Sequence, residues 1–255
     1  MNNLATRIAV ITGGSRGLGK SMALHLADRG VDVVLTYHTA SDAAKAVVAQ
    51  IAAKGRKAVA LPLDVADSRG YPAFAAAVAD ALRTTWQRDR FDYLVNNAGV
   101  GVYGSIAETT EAQFDELFRT HFKAVMFVTQ RLVPLIADGG SILNVSSGLA
   151  RFTLPGYGAY AAMKGGVEVL TRYMAKELAG RGITVNTLAP GAIATDFGGG
   201  RVRDDAQINQ HVASQIALGR VGLPDDIGAA VAMLLSPDSK WITGQRIEVS
   251  GGQLL

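Results

Sequence analysis

At 255 residues, 49% of them hydrophobic, the chain is long enough for one large α/β core and requires no second domain. Lys and Arg number 25 against 22 Asp and Glu, a formal charge of +3 with the cations scattered, which gives no support to nucleic-acid binding. The absence of cysteine excludes disulfides and thiolate chemistry, and His25, His38, His121 and His211 are too dispersed for a metal site.

The opening run MNNLATRIAVITGG has too few apolar residues for a secretory leader, and no apolar stretch of about 20 residues follows, so a cytoplasmic protein without membrane contact is expected. Short β-branched runs then alternate with longer Ala- and Leu-rich stretches. IAVIT (8–12), VVLT (33–36), AVALPL (58–63), DYLVNN (92–97), SILNVS (141–146), ITVNTL (183–188) and RIEVS (246–250) read as seven strands. Several are apolar on successive residues, as in a parallel sheet covered on both faces. Segments 17–29, 41–54, 70–85, 111–137, 157–180 and 225–236 are long enough for crossover helices. Gly30, Gly55, Gly139 and Gly182 stand where a left-handed residue would close a helix. A doubly wound, seven-stranded parallel sheet with helices on both faces is expected. The run DFGGGRVRDDAQINQ (196–210) is the least regular, and its glycines predict a mobile flap around 194–214.

The first strand leads through Thr12-Gly13-Gly14-Ser15-Arg16-Gly17-Leu18-Gly19 directly into a helix. Glycine lets the backbone turn sharply and approach a pyrophosphate, while free N–H groups and the helix dipole attract its charge. Nucleotide binding is expected there, through Gly13, Ser15, Arg16, Gly17, Leu18 and Gly19, although GxxxGxG differs from the usual GxGxxG. The second strand ends Thr36-Tyr37-His38-Thr39, without the carboxylate that an NAD enzyme offers to the adenosine ribose. Hydroxyls, His38 beside Tyr37, and Arg16 would instead meet a 2′-phosphate, so NADP(H) is expected over NAD(H). Arg16 is otherwise an ordinary loop cation. Asp64, in the Asp64-Val65 pair after the third strand, either accepts a hydrogen bond from an adenine amino group or caps the next helix.

Farther along, Ser147 precedes Tyr160-Ala161-Ala162-Met163-Lys164. The Tyr and Lys stand four apart in a helical stretch, so their side chains share one face. A cation roughly 4 Å from the phenol is worth about 4 kcal/mol at an effective dielectric near 20, enough to bring Tyr160 toward the range of a general acid/base. Ser147, from a separate strand end, would donate a hydrogen bond to a substrate oxygen. Adjacent Ser146 would satisfy backbone groups.

The glycine turn, Asn96-Asn97-Ala98-Gly99, Ser147, Tyr160-xxx-Lys164 and Pro190-Gly191 occur in one order over nearly the whole chain. Together they closely resemble the classical short-chain dehydrogenase/reductase family, in particular its 3-oxoacyl reductase-like branch. The segments 219–226 and 243–252 also resemble that family's C-terminal region. The resemblance implies a single-domain Rossmann fold over residues 1–255. It implies that Asn97, Ala98 and Gly99 border the adenosine ribose, that Pro190 and Gly191 shape the nicotinamide pocket, and that Ile193 and Thr195 reach the carboxamide or phosphate. Tyr160 would exchange a proton with the carbonyl oxygen, Lys164 would hold the nicotinamide ribose, and Ser147 would bind the substrate oxygen. One departure is His121, which stands where the family usually has the Asn that completes a catalytic tetrad; it either joins the proton relay or is only a packed helix residue.

The activity implied is reversible, NADPH-dependent reduction of a ketone or aldehyde, with a 3-oxoacyl thioester as one specific candidate. An NAD-dependent alcohol dehydrogenase and a non-catalytic NADP-binding redox sensor are the alternatives, and an intact Ser147, Tyr160 and Lys164 speaks against the sensor. Val100 to Tyr103, Gly148 to Tyr157 and the flap after Thr195 would line a mostly apolar substrate pocket, through Leu149, Phe152, Leu154 and Tyr157. The family habit also implies a homodimer or homotetramer built on the helices near 111–137 and 157–180.

Overall fold

In a computed structural model, residues 6–255 are described; the first five, where the leader reading begins, lie outside the described residues. Seven strands form one sheet: β1 (Ile8–Ile11), β2 (Asp32–Tyr37), β3 (Ala58–Pro62), β4 (Phe91–Asn96), β5 (Ile136–Val145), β6 (Thr184–Pro190) and β7 (Arg246–Val249). Their order is β3-β2-β1-β4-β5-β6-β7, and every pairing is parallel. The winding reverses between β1 and β4, and open α/β sheets gather ligands at the carboxyl ends beside such a switch point.

Alternation along β1 builds both cores. Ala9 and Ile11 pack on one face with Met22 and Leu26 of α1 (Gly17–Asp28) and Ile51 of α2 (Ser41–Ala53). Ile8 and Val10 pack on the other with Phe74 and Val78 of α3 (Tyr71–Trp86). Between the sheets' two helical layers the central strands are locked by a buried polar chain. The Asn96 side-chain amide donates to Thr129 Oγ1 at 2.9 Å and to Asn144 Oδ1 at 2.8 Å, and Asn144 donates in turn to Thr171 Oγ1 at 2.9 Å. Each buried amide thus has partners, without which its desolvation would cost about 1–3 kcal/mol.

The stretch 111–137 is not one helix. It consists of α4 (Glu111–Leu117), a π-helical turn at Phe118–Lys123, α5 (Ala124–Leu132) and a single 3-10 turn at Val133–Leu135. Pro134 lacks the N–H needed to continue α5, and β5 begins at Ile136, five residues earlier than the apolar run suggests. Gly139, at φ +73°, therefore sits within β5 opposite the β4 register shift and does not close a helix. Gly30, Gly55 and Gly182 do take the left-handed conformation at helix ends.

The helix carrying Tyr160 and Lys164 is α6 (Gly158–Leu178). The segment expected as a flap holds a 3-10 turn at Phe197–Gly200, with Gly198, Gly199 and Gly200 all at positive φ, then α7 (Arg201–Asp204) and α8 (Ala206–Ala213). A final helix, α9 (Pro224–Leu234), packs against α1 where Gly228 leaves room for Ser21 and His25. Among the described residues no helix is long and apolar enough to cross a membrane.

Candidate active site

The glycine loop between β1 and α1 is fixed by its neighbours before any ligand is considered. Thr12 Oγ1 accepts from the amides of Asn97 at 2.9 Å and Ala98 at 3.0 Å, and the Asn97 side chain donates back to the carbonyls of Thr12 and Gly13 at 2.9 and 3.1 Å. Gly13 N–H donates to Thr36 Oγ1 at 3.0 Å. At φ +67° Gly13 turns the chain so closely that a Cβ would lie 2.9 Å from Ala98 Cα. Gly17, at φ +53°, has instead only Asp196 and Thr195 near it, at 3.8 and 4.0 Å, so the backbone is open toward the cleft. The start of α1 carries neither a side-chain cap nor an acidic residue in its first turn. Its uncapped amides and unopposed dipole fit a pyrophosphate, so the residues present suit the nucleotide expected.

On the adenosine side, β2 ends without a carboxylate, but Asp64 supplies one nearby: its Oδ2 lies 3.6 Å from His38 Nε2. Asp64 Oδ1 accepts from the Ala66 amide at 2.8 Å within a turn, while the cap of the next helical turn, Ser68–Gly70, is Asp67, which corrects the capping role expected of Asp64. Val65 lies beneath, its carbonyl accepting from Tyr71 at 2.6 Å. Arg16 reaches across the cleft and pairs with Asp196 of the flap at 2.7 Å. It is neither a solitary loop cation nor directed to the end of β2.

Ser147 leaves β5 as the cap of a short turn, its Oγ accepting from Leu149 N–H at 3.2 Å. Tyr160 and Lys164 stand one turn apart on α6, both buried, at 7% and 4% exposure. Lys164 Nζ donates to the Val145 carbonyl at 2.8 Å and lies 5.6 Å from the centre of the Tyr160 ring. Burial pulls the ammonium down to about 7. Burial also raises the Tyr160 phenol above its ordinary value, with Ser147's hydrogen bond opposing the rise. The expectation that the Lys164 cation brings the phenol toward the range of a general acid/base is not met in this geometry: the ammonium donates to a backbone carbonyl, and burial raises the phenol.

His121 lies within the π-helical turn and is 1% exposed. Its Nε2 is 2.7 Å from the Val100 carbonyl and 3.2 Å from the Val100 amide, while Nδ1 is buried with no hydrogen-bond partner among the described residues. The ring meets Tyr160 edge-on at 5.0 Å and presses on Gly99, where a Cβ would be 2.7 Å from Cε1. Burial first, then the charge of Lys164, lowers its pKa to about 3. His121 is thus neutral at physiological pH, which corrects the idea that it carries a proton there.

Pro190 ends β6, and the loop beyond it is tied down from the C-terminal tail. Gly191 N–H donates to the Val249 carbonyl at 3.1 Å, and the Ala192 amide to Gln253 Oε1 at 2.9 Å. Ile193 pairs with Gly222, and Thr195 Oγ1 accepts from Phe197 N–H at 3.2 Å. One continuous cleft joins the glycine loop, this segment, Ser147, Tyr160 and Lys164. Its far side is aromatic. Tyr103 and Tyr157 meet edge to face at 5.5 Å, Phe197 lies 5.8 Å from Tyr160, and Phe152 packs on Gly148, where a Cβ would be 2.6 Å from its ring. Gln253 belongs to this arrangement although no motif marks it; only its place near the chain end, against the loop after Pro190, points to it. The Ser146 hydroxyl reaches the backbone carbonyl of Lys164 at 3.4 Å, as expected of a group that satisfies backbone, and also donates to the Glu168 carboxylate at 2.7 Å.

Residues 13–253 match the family model described as Enoyl-(Acyl carrier protein) reductase. A 3-oxoacyl-[acyl-carrier-protein] reductase FabG of Staphylococcus aureus is 38% identical over 255 residues, covering 98% of this chain and 99% of that protein. Among solved structures, the promiscuous reductase LugOII, which catalyses keto-reduction at C1 during lugdunomycin biosynthesis, has 37% identity and a TM-score of 0.93 over 98% of this chain and 99% of its own. The angucycline C-6 ketoreductase LanV with bound NADP has 33% identity and a TM-score of 0.93, covering 98% and 96%. With the family model matching from Gly13 through the Tyr160 helix to Gln253, and a relative 38% identical over 98% of the chain, the chain belongs to the short-chain dehydrogenase/reductases, oxidoreductases of the Rossmann fold that resemble the 3-oxoacyl reductases.

Proposed function

We propose that the protein reduces a ring-borne ketone to an alcohol with NADPH, Tyr160 supplying the proton. The observation that carries this is the meeting, in one cleft, of an uncapped helix N-terminus, the buried Tyr160 and Lys164 pair, and an aromatic wall. The nicotinamide supplies hydride when bound. Ser147 Oγ and the Tyr160 hydroxyl bind and orient the carbonyl oxygen, and Tyr160 transfers its proton to that oxygen as negative charge develops. Lys164, at about 7 in the buried site, is positioned to hold a ribose hydroxyl and to compensate the phenolate. Gly13, Ser15, Gly17, Leu18 and Gly19 would hold the pyrophosphate, Asn97 to Gly99 the ribose, and Pro190, Gly191, Ile193 and Thr195 the nicotinamide end.

The lack of a β2 carboxylate and the NADP bound to LanV favour NADP(H), with His38 beside Tyr37 as the 2′-phosphate contact and Arg16 reaching it on leaving Asp196. Tyr103, Phe152, Tyr157 and Phe197 favour a flat ring system, which stacks on such side chains, over a linear acyl thioester. LugOII and LanV, both ketoreductases, point the same way. Exposed apolar side chains on α4, α5 and α6 favour a homodimer or homotetramer.

Initial rates with α-tetralone and with acetoacetyl-CoA, each with NADPH and NADH, test the reading. Expected are a higher kcat/KM for the tetralone and for NADPH, and a loss of about 10²–10⁴-fold in Tyr160→Phe, the range for removal of a general acid. A clear NADH preference overturns the cofactor assignment, and cofactor binding without turnover of any carbonyl favours the sensor.

A further inference from the structure

A chain of charged side chains runs behind the acid/base site without entering the cleft's chemistry. Arg246 of β7 extends its guanidinium toward three elements at once. Nε donates to Glu168 Oε1 of α6 at 2.8 Å, Nη1 to Glu248 Oε2 of β7 at 2.8 Å, and Nη2 to the carbonyl of Ser147 at 3.4 Å. Glu168 is one turn beyond Lys164 on α6 and also accepts from the hydroxyl of Ser146. The guanidinium therefore bridges the helix that carries Tyr160 and the strand end that carries Ser147.

The chain continues outward. Glu248 accepts two bonds of 2.8 Å from Arg151, and Arg151 donates to the carbonyls of Gln253 and Leu254 at 2.8 and 3.1 Å. Gln253 in turn accepts from the Ala192 amide in the loop after Pro190. Two arginines and two glutamates make the cluster neutral, which offsets the cost of holding it largely out of solvent, with side-chain exposures of 14% for Glu168, 19% for Glu248 and 24% for Arg246. Only the planar fork of arginine meets three acceptors in fixed directions; the lysine ammonium is a point charge on a flexible stem. An ion pair that merely stapled β7 to α6 would need only Glu168. Here the third donor falls on Ser147, whose carbonyl already accepts from Ala150 N–H at 3.1 Å, so the turn presenting the Ser147 hydroxyl is held from two sides.

We propose that Arg246, gripped by Glu168 and Glu248, is a positioning residue that sets the Ser147 hydroxyl against Tyr160. It rests on the acid/base role proposed for Tyr160 and extends it to the rear of the site. A Ser147 hydroxyl turned away from Tyr160 no longer orients the carbonyl oxygen toward the phenol, so kcat falls while NADPH, held by the glycine loop, binds as before. The other groups around the phenol, His121 from the π-helical turn and Tyr157 and Lys164 from the start and first turns of α6, are unchanged in the variants that follow.

The experiment measures kcat, KM for NADPH and α-tetralone and the melting temperature for wild type, Arg246→Met, Arg246→Lys, the double variant Arg246→Met/Glu168→Gln, and Tyr160→Phe. Expected for Arg246→Met is a fall in kcat of about tenfold, as for a misplaced rather than missing group, with KM for NADPH within about twofold. Arg246→Lys falls between it and wild type. The double variant removes the carboxylate left unpaired by Arg246→Met, and therefore still reports on kcat should the single variant fail to fold. An unchanged kcat in a folded variant, with only the melting temperature lowered, overturns the proposal. Full turnover by Tyr160→Phe overturns the acid/base role itself, whereas loss of turnover there with neutral Arg246 variants overturns the positioning role alone.

Discussion

His121 shows how burial decides what a titratable side chain does. In the unfolded chain it titrates near 6.5, and in the fold near 3, because the buried ring and the neighbouring Lys164 both disfavour the imidazolium. A folded value below the unfolded one means that the stabilisation is complete above about 6.5 and is lost as pH falls from there toward 3, since the unfolded chain binds the proton first. The stability advantage of wild type over His121→Asn should then be constant between pH 7 and 8 and shrink between pH 6 and 4, carboxylates common to both cancelling. Urea midpoints across that range check it; a flat difference would show that His121 is already charged in the fold. Ser147, Tyr160 and Lys164 were legible in the sequence because Tyr and Lys share a helix face whatever surrounds them. The phenol's pKa was not, because it depends on where the Lys164 ammonium turns, and Val145, nineteen residues away, takes it.

At the scale of elements, the strands were legible from short β-branched runs, and the tight turn from β1 into α1 from its glycines. The π-helical turn was not. Its wide register brings His121 against Val100, a contact between residues twenty-one apart that no local periodicity encodes. The glycines themselves separate two jobs that look alike in a sequence. At Gly19 a Cβ would strike the Gly13 carbonyl and lie 2.6 Å from Asn97 Nδ2, so Gly19→Ala must displace α1 from the loop it begins. At Gly30, φ +79°, nothing stands within 4 Å, so Gly30→Ala strains only its own backbone. Gly19→Ala should weaken NADPH binding at least about tenfold and cost about 1–3 kcal/mol of stability, as overpacking does. Gly30→Ala should cost about 1 kcal/mol and leave NADPH affinity unchanged. Fluorescence titration of NADPH together with chemical denaturation separates the two; equal cofactor affinity in both variants would mean that the pyrophosphate is not held by this loop.

For the whole molecule, the apolar surface is the feature that a lone chain leaves unexplained. Phe114 on α4, Phe118 in the π-helical turn and Phe127 on α5 are 44%, 38% and 40% exposed, and Val169 and Tyr173 on the adjoining α6 are 46% and 65% exposed. Side chains of this size on neighbouring helices form a surface that monomers seldom leave to water, and their burial between two copies removes it. The same helices carry Tyr160, Lys164 and His121, so a partner packed there would also stiffen the site from outside. Tyr173 lies at the exposed face of α6, more than three turns beyond Tyr160, where a charge would be trapped in such an interface without touching the cleft. Light scattering should therefore give a multiple of the single-chain mass for wild type, and Tyr173→Glu should lower the assembly state, reducing kcat as the chains separate and restoring part of it at high protein concentration. If wild type is a monomer, or if Tyr173→Glu assembles unchanged, these helices do not form the interface and the exposed aromatic residues have another occupant.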